Sequence, residues 1–180
     1  MDMELERVFS QRKSIRSYTG EKITRRKLKD ILDSANQSPV GRGKYDTLHI
    51  TVVENKEVLS NIDTISAEMF GDPKLHPLYG APTFIIISVK PSSGGDPGNV
   101  EFSNAAIMAA NMALTAVEKN IGCCLIWGAV RAINGNRKII ESLDLPDGFI
   151  PCCGIVAGIS EEEYPEREID EDRISINYID

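Results

Sequence analysis

The stretch Arg12-Lys13-Ser14-Ile15-Arg16-Ser17-Tyr18 sets cations at 12, 13 and 16 around a hydroxyl, and the order of the segments on either side of it decides the fold. In an extended segment alternate side chains share a side, so 12, 14 and 16 aim one way. Guanidinium groups offer planar paired donors and serine adds a directional hydroxyl, a combination that suits a phosphomonoester or a carboxylate. By composition alone, such a basic stretch is more often a solvated face.

Upstream, Leu5, Val8 and Phe9 fall on one side of a helix expected over 3–12. Downstream, Thr24 reads as the N-cap of a helix from Arg25 to Ser38, whose Leu28, Ile31, Leu32 and Ala35 form an apolar stripe and which Pro39 closes. The loop Pro39-Val40-Gly41-Arg42-Gly43-Lys44-Tyr45-Asp46-Thr47 carries two glycines and two cations and is a candidate site. The pattern then predicts a strand from Leu48 to Val53, a helix from Glu57 to Phe70, an irregular stretch 71–81 and a strand from Thr83 to Val89. A turn over 91–98 leads to a long apolar helix from Glu101 to Asn120, closed by Gly122. A strand Cys123 to Trp127, a short helix around Asn136 to Ser142, a strand Ile150 to Ile159 and a last alternating strand Arg173 to Ile179 complete the reading. Helices and strands mix without strict β-α-β alternation, which favours an α+β architecture. Neither GxGxxG after a first strand nor GxxxxGK[ST] occurs, so phosphate binding needs another device.

At 180 residues the chain is expected to be one domain, 1–180. A hydrophobic share of 42% and a charged share of 26% match a folded globular protein. A net charge of -7 argues against a nucleic-acid surface, which needs clustered Lys and Arg. The first ten residues lack the apolar core of a signal peptide, and no apolar run is read as approaching the roughly 18 residues of a membrane span. The expected location is therefore cytoplasmic, with no membrane partner. Two vicinal pairs, Cys123-Cys124 and Cys152-Cys153, lie in strand-like runs, so each pair should send one sulfur to each face as core packing. No metal site is expected, since His49 and His76 have no carboxylate at metal spacing.

Taken together, the segments resemble the FMN-dependent nitroreductase family over nearly the whole chain. Arg12-Lys13-Ser14-Ile15-Arg16-Ser17-Tyr18 looks like that family's R-[RS]-S-x-R-x-[FY] segment, which grips FMN. Ser34-Ala35-Asn36-Gln37-Ser38-Pro39 with Gly41-Arg42-Gly43 resembles the A-P-S-x-x-N loop, which reaches the flavin of the partner subunit. Asn104 to Ala116, with Asn111 at its centre, resembles the dimer helix bearing D-x-x-x-A-x-x-N. Gly122-Cys123-Cys124-Leu125-Ile126-Trp127-Gly128 resembles the G-x-C-x-x-G strand near the flavin, and Pro151 to Gly158 the last core strand. One departure is clear: Lys44-Tyr45-Asp46-Thr47-Leu48 stands where the family commonly reads N-x-Q-P-W.

The resemblance implies a central, mostly antiparallel sheet flanked by helices in an intertwined homodimer with FMN at the interface. It implies a ping-pong reaction in which NADH or NADPH serves as co-substrate and a nitroaromatic, quinone or similar planar molecule is the acceptor. The chemistry would belong to flavin N5, with no catalytic side chain. Arg12 and Ser14 would hold phosphate or ribityl oxygens, and Arg16 would meet negative charge near flavin N1 and O2. Lys13, Pro39, Arg42, Gly43, Lys44, Asn104, Trp127, Gly128 and Arg173 complete the implied cofactor-binding set, with Arg167 a second match for the basic group of the tail. Read from the residues alone, Asn104 and Asn111 are more often core or cap residues than ligands, and Trp127 is packing or an interface aromatic rather than a stacking platform. The competing class is a flavin carrier or sensor that never turns over a nicotinamide, and a third is a flavin-independent α+β scaffold.

Overall fold

Four strands make the frame of the molecule, a computed structural model that describes residues 4–92 and 94–179. Strands β1 (Leu48–Val53), β2 (Thr83–Val89), β3 (Gly122–Ile126) and β4 (Ile150–Gly158) lie in the order β1-β2-β4-β3, and every neighbouring pair is antiparallel. Their β-branched and apolar residues suit a sheet buried on both faces. On one face Ile85, Ile87, Cys123, Ile155 and Ala157 pack against α2 (Arg25–Asn36) and α4 (Asn99–Glu118). On the other, Phe84, Ile86, Cys124, Ile126 and Val156 meet α3 (Lys56–Phe70), α5 (Gly128–Asn134) and α6 (Arg137–Ser142). The short α1 (Leu5–Gln11) closes the N-terminal end, and its Val8 packs with Ile15, Val117 and Tyr164.

The element boundaries follow local chemistry. The Thr24 hydroxyl accepts the Lys27 N–H at 3.3 Å, as a cap should. Asn55 caps α3 by accepting from Glu57 and Val58, and Asn136 caps α6 by accepting from Ile139. Of the expected helix over 3–12, residue 3 lies outside the described residues, as does Ser93 of the turn over 91–98.

Several expectations need correction. Gly122 does not close α4: Asn120, at φ 52, takes the left-handed turn, and Gly122 opens β3, where a Cβ would meet Ser160, the Gly158 carbonyl and Ile15 at 3.0 to 3.1 Å. Trp127 ends no strand; it sits at the N-cap of α5, a helix the sequence reading missed because no side-chain cap announces it. Cys152 and Cys153 do not split between faces. A bulge opposite Ile87 and Ser88 makes Cys152 the extra residue, and both cysteines join the α2/α4 core. The stretch 173–179 forms no strand with the described residues of its own chain. The outer edge of β3 is taken by Ile15, whose N–H donates to the Cys123 carbonyl at 2.8 Å, and the described tail does not pair with the free edge of β1. Finally, α4 is long and apolar enough to span a membrane by length and composition, contrary to the reading of the sequence. In the fold, its Ala105, Met108, Ala109, Met112 and Ala116 are buried in the core against the sheet.

Candidate cofactor site

Residues 12–18 run extended along the outer edge of β3, fixed by the Ile15 bond to Cys123 and by the Tyr18 hydroxyl donating to the Ile15 carbonyl at 3.0 Å. Ile15 is fully buried, and it is this apolar anchor that leaves the flanking polar side chains at the surface. The chain after β4 returns over the same edge. Tyr164, buried, donates its hydroxyl to the Ile121 carbonyl at 2.8 Å and accepts the Cys123 N–H at 3.1 Å. Burial raises the pKa of that phenol, so it remains a donor throughout the usual pH range. Glu162 accepts the Arg16 N–H at 3.0 Å and the Lys13 ammonium at 3.2 Å.

The same return brings three guanidinium groups together. Arg167 donates to the carbonyls of Ser10 and Phe9, and its pKa is lowered by burial and by the positive charges of Arg12 and Arg173. Arg12 and Arg173 have no carboxylate partner among the described residues. Like charges gather at a cost unless an anion offsets them, so Arg12, Arg167 and Arg173 form an anion-attracting cluster. Ser14, two residues along from Arg12 in the extended segment, is half-buried, and its hydroxyl has no partner among the described residues. Lys13 is instead committed to Glu162. The exposed Arg16 lies 5.9 Å from the centroid of the Tyr79 ring, within cation–π range. Tyr79 and then Cys124 raise its pKa, and Tyr79 is itself held at φ 54.

The second group of expected residues lies elsewhere. The loop after α2 forms two 3-10 turns, Gly41–Gly43 and Tyr45–Thr47, with Arg42 at φ 59. Asn104, in α4, accepts the Gly41 N–H at 2.9 Å, and Asn111 donates to the Ser38 hydroxyl at 2.8 Å. Both asparagines thus hold the loop. Pro39, Gly43, Arg42 and Lys44 are exposed around them. Trp127 is half exposed, and Gly128 is dictated locally by the Phe70 ring, which a Cβ would meet at 2.8 Å.

Ile15 packs at Val117 whereas Gly41 is tied to Asn104, and thirteen residues of helix separate those two anchors by ~20 Å. A single chain therefore does not unite the two groups. An apolar groove along α3, about 510 Å³ and lined by Ser60, Asp63, Ala67, Leu75 and His76, touches neither. Sequence reasoning missed Glu162, Tyr79 and Tyr164. Their only signal was position after β4 or before β2, and nothing in the sequence marks a contact made across 146 residues.

Comparison with solved structures places the whole architecture among known ones. A nitroreductase with bound FMN from Desulfitobacterium hafniense DCB-2 superimposes with a TM-score of 0.84 at 22% identity, over 99% of this chain and 100% of that one. A nitroreductase with bound FMN from Bacteroides fragilis NCTC 9343 gives 0.82 at 22%, over 98% and 100%. An FMN-dependent nitroreductase from Clostridium difficile R20291 gives 0.74 at 25%, over 96% and 98%. No curated protein matches the sequence. The family model for the nitroreductase family matches residues 9–159, and with the sheet order and the edge segment described above this shows that the chain belongs to the nitroreductase family.

Proposed function

We propose that this protein is an FMN-dependent oxidoreductase that takes electrons from NADH or NADPH and passes them to a planar acceptor such as a nitroaromatic or quinone, in ping-pong order. The observation that carries the reading is the convergence of Arg12, Arg167 and Arg173, on a chain of net charge -7. That donor set fits a phosphomonoester such as the FMN phosphate: planar guanidinium forks, the Ser14 hydroxyl two residues along from Arg12 in an extended segment, and no competing carboxylate on Arg12 or Arg173 among the described residues. Arg16, held by Tyr79 and by the Glu162 bond to its backbone, would set a positive charge at the flavin ring. FMN, when bound, supplies the two-electron chemistry between nicotinamide and acceptor. The chain's own residues grip, orient and tune.

We infer further that the working unit is a homodimer. The 12–16 segment and the 39–44 loop sit at opposite ends of α4, so a second copy is the simple way to bring them to one ligand. Exposed apolar side chains support this: Leu5 and Phe9 of α1, Ile107 of α4, Trp127, and Ile174, Ile176 and Tyr178 of the tail. β1 is an edge strand flanked by an apolar groove lined by Leu32, Ala35, Leu48 and Met108, and it offers the tail of a partner a ladder. We place the reaction in the cytoplasm, whose reducing conditions suit four free cysteines.

An absorbance spectrum tests the reading. Yellow protein bleached by NADH or NADPH supports the enzyme; bound FMN that neither nicotinamide reduces supports a carrier or sensor, a reading favoured by the replaced 44–48 loop, where the Tyr45 hydroxyl is committed to the Ser38 carbonyl. Colourless protein that ignores added FMN removes both. Light scattering tests the dimer, and deletion of residues 173–180 is expected to weaken it.

A further inference from the structure

We propose that a small cavity at the N-terminal end of α4 is an anion subsite for a phosphate or carboxylate group carried by the molecule that reacts at the flavin. The cavity, about 140 Å³, lies between the 41–47 loop, the end of β2 and the first turn of α4. Arg42, Lys44 and Lys90 line it together with Ser92, Glu101 and Asn104. Three cations on one small cavity run against the acidic balance of the chain, and none of the three has an ion-pair partner among the described residues.

The one carboxylate there is already used. Glu101 accepts the Ser92 hydroxyl at 3.1 Å and the N–H groups of Ser92 and Gly98 at 3.4 and 3.2 Å, so it fastens the turn before α4 and leaves an excess of positive charge. Asn104 is nine-tenths buried, its Oδ1 is taken by the Gly41 N–H, and among the described residues its amide nitrogen has no acceptor. It therefore has a donor to spare at the cavity wall. The N-terminus of this twenty-residue helix adds partial positive charge on the same side. The volume is that of roughly five liquid water molecules, enough for a phosphate or carboxylate group and too little for a flavin ring.

The anion subsite stands on these residues alone; the class of ligand rests on the FMN reading above, in which the 39–44 loop reaches the flavin. Two sources share the chemistry: the 2′-phosphate of a nicotinamide, or an acidic substituent of the acceptor.

The test begins with FMN-loaded protein, so that the flavin phosphate is already accommodated. Titration calorimetry with inorganic phosphate should show one site per chain, weakened at least fivefold in Lys90→Gln and in Arg42→Gly, the second variant being compatible with the positive φ of that position. Absence of binding, or unchanged affinity in both variants, overturns the subsite. Stopped-flow kinetics then separates the sources. A fall of fivefold or more in the NADPH-over-NADH ratio of kcat/KM in Lys90→Gln assigns the nicotinamide phosphate; the same fall in the 4-nitrobenzoate-over-4-nitrotoluene ratio assigns the acceptor. If neither ratio moves, the link to the reacting molecule is wrong. Should the protein take up no FMN, the proposed function fails. Phosphate titration of the colourless protein still decides the subsite: binding lost in Lys90→Gln supports it, and binding lost only in Arg173→Gln overturns it.

Discussion

Glu162 accepts the backbone N–H of Arg16 at 3.0 Å, so a residue beyond the last strand fixes the backbone of the segment that bears the candidate flavin contacts. The Arg16 backbone bond, followed by the Lys13 ammonium, holds the Glu162 carboxyl below the ordinary value of 4.5. A depressed folded pKa means that the stabilisation is complete above the ordinary carboxylate range and is lost as pH falls through the folded value. The side chain is about a third exposed, so screening keeps the effect near ~0.5 kcal/mol. Glu162→Gln should lower the urea midpoint slightly at pH 7, with the difference from the parent closing in acid, and should weaken FMN binding several-fold.

Arg173 carries a second expectation. If it meets the flavin phosphate with Arg12, Arg173→Gln removes one charge-assisted bond, worth about 1.5 to 3 kcal/mol, and raises the FMN Kd roughly tenfold to a hundredfold. Fluorescence quenching of FMN reads this directly. Arg16→Ala is expected to keep much of the FMN affinity and lower the flavin midpoint potential, which a dye-coupled reduction measures; an unchanged potential would remove Arg16 from the ring.

Glycines on β4 and α5 should respond differently to the same change. At Gly154 a Cβ would meet the buried Phe84 ring at 2.4 Å and the Ile85 carbonyl at 3.0 Å, so Gly154→Ala should cost more than the usual ~1 to 3 kcal/mol of overpacking. At Gly128 the obstacle is the half-exposed Phe70 ring, which can swing away, and Gly128→Ala should cost ~1 kcal/mol or less. Urea denaturation of the two variants side by side checks the order.

Three of the four thiols should be inert. Burial pushes Cys123 and Cys152 up to about 11 and Cys153 up to about 12. Since the thiolate is the nucleophile, a disulfide reagent at pH 8 should label these three only after denaturation. Mass spectrometry of native and unfolded samples reads the difference.

Loss of the Asn104 side chain should loosen the 38–44 loop. Asn104→Ala removes the acceptor of the Gly41 N–H, which lies on an exposed residue and can turn to water, at a cost of about 0.5 to 1.5 kcal/mol, whereas Asn104→Asp keeps the acceptor and should cost less. Hydrogen exchange at Gly41 distinguishes the two.

Local rules in the sequence determined the helices capped by Thr24 and Asn136, the bounds of β1 and β2, and the α+β class, because hydrophobic period and capping act over a few residues. The basic stretch at 12–16 was legible as a group of cations around a hydroxyl, and only its resemblance to a family segment made it a candidate anion clamp. Which of its cations remain free was not legible. Lys13 is withdrawn by Glu162, Arg12 is joined by Arg167 and Arg173, and Arg16 is braced by Tyr79, all through contacts between segments far apart in the chain. The expected strand at 173–179 finds no partner among the described residues of its own chain: alternation states what a segment offers, while pairing requires an edge within reach, and Ile15 holds that of β3. The sequence thus determined the pieces and their kind; the tertiary structure alone decided which charges are paired, which edge is open and that the 12–16 segment and the 39–44 loop lie ~20 Å apart along α4, since charge pairing and edge occupancy depend on distance in space and not on spacing in the chain.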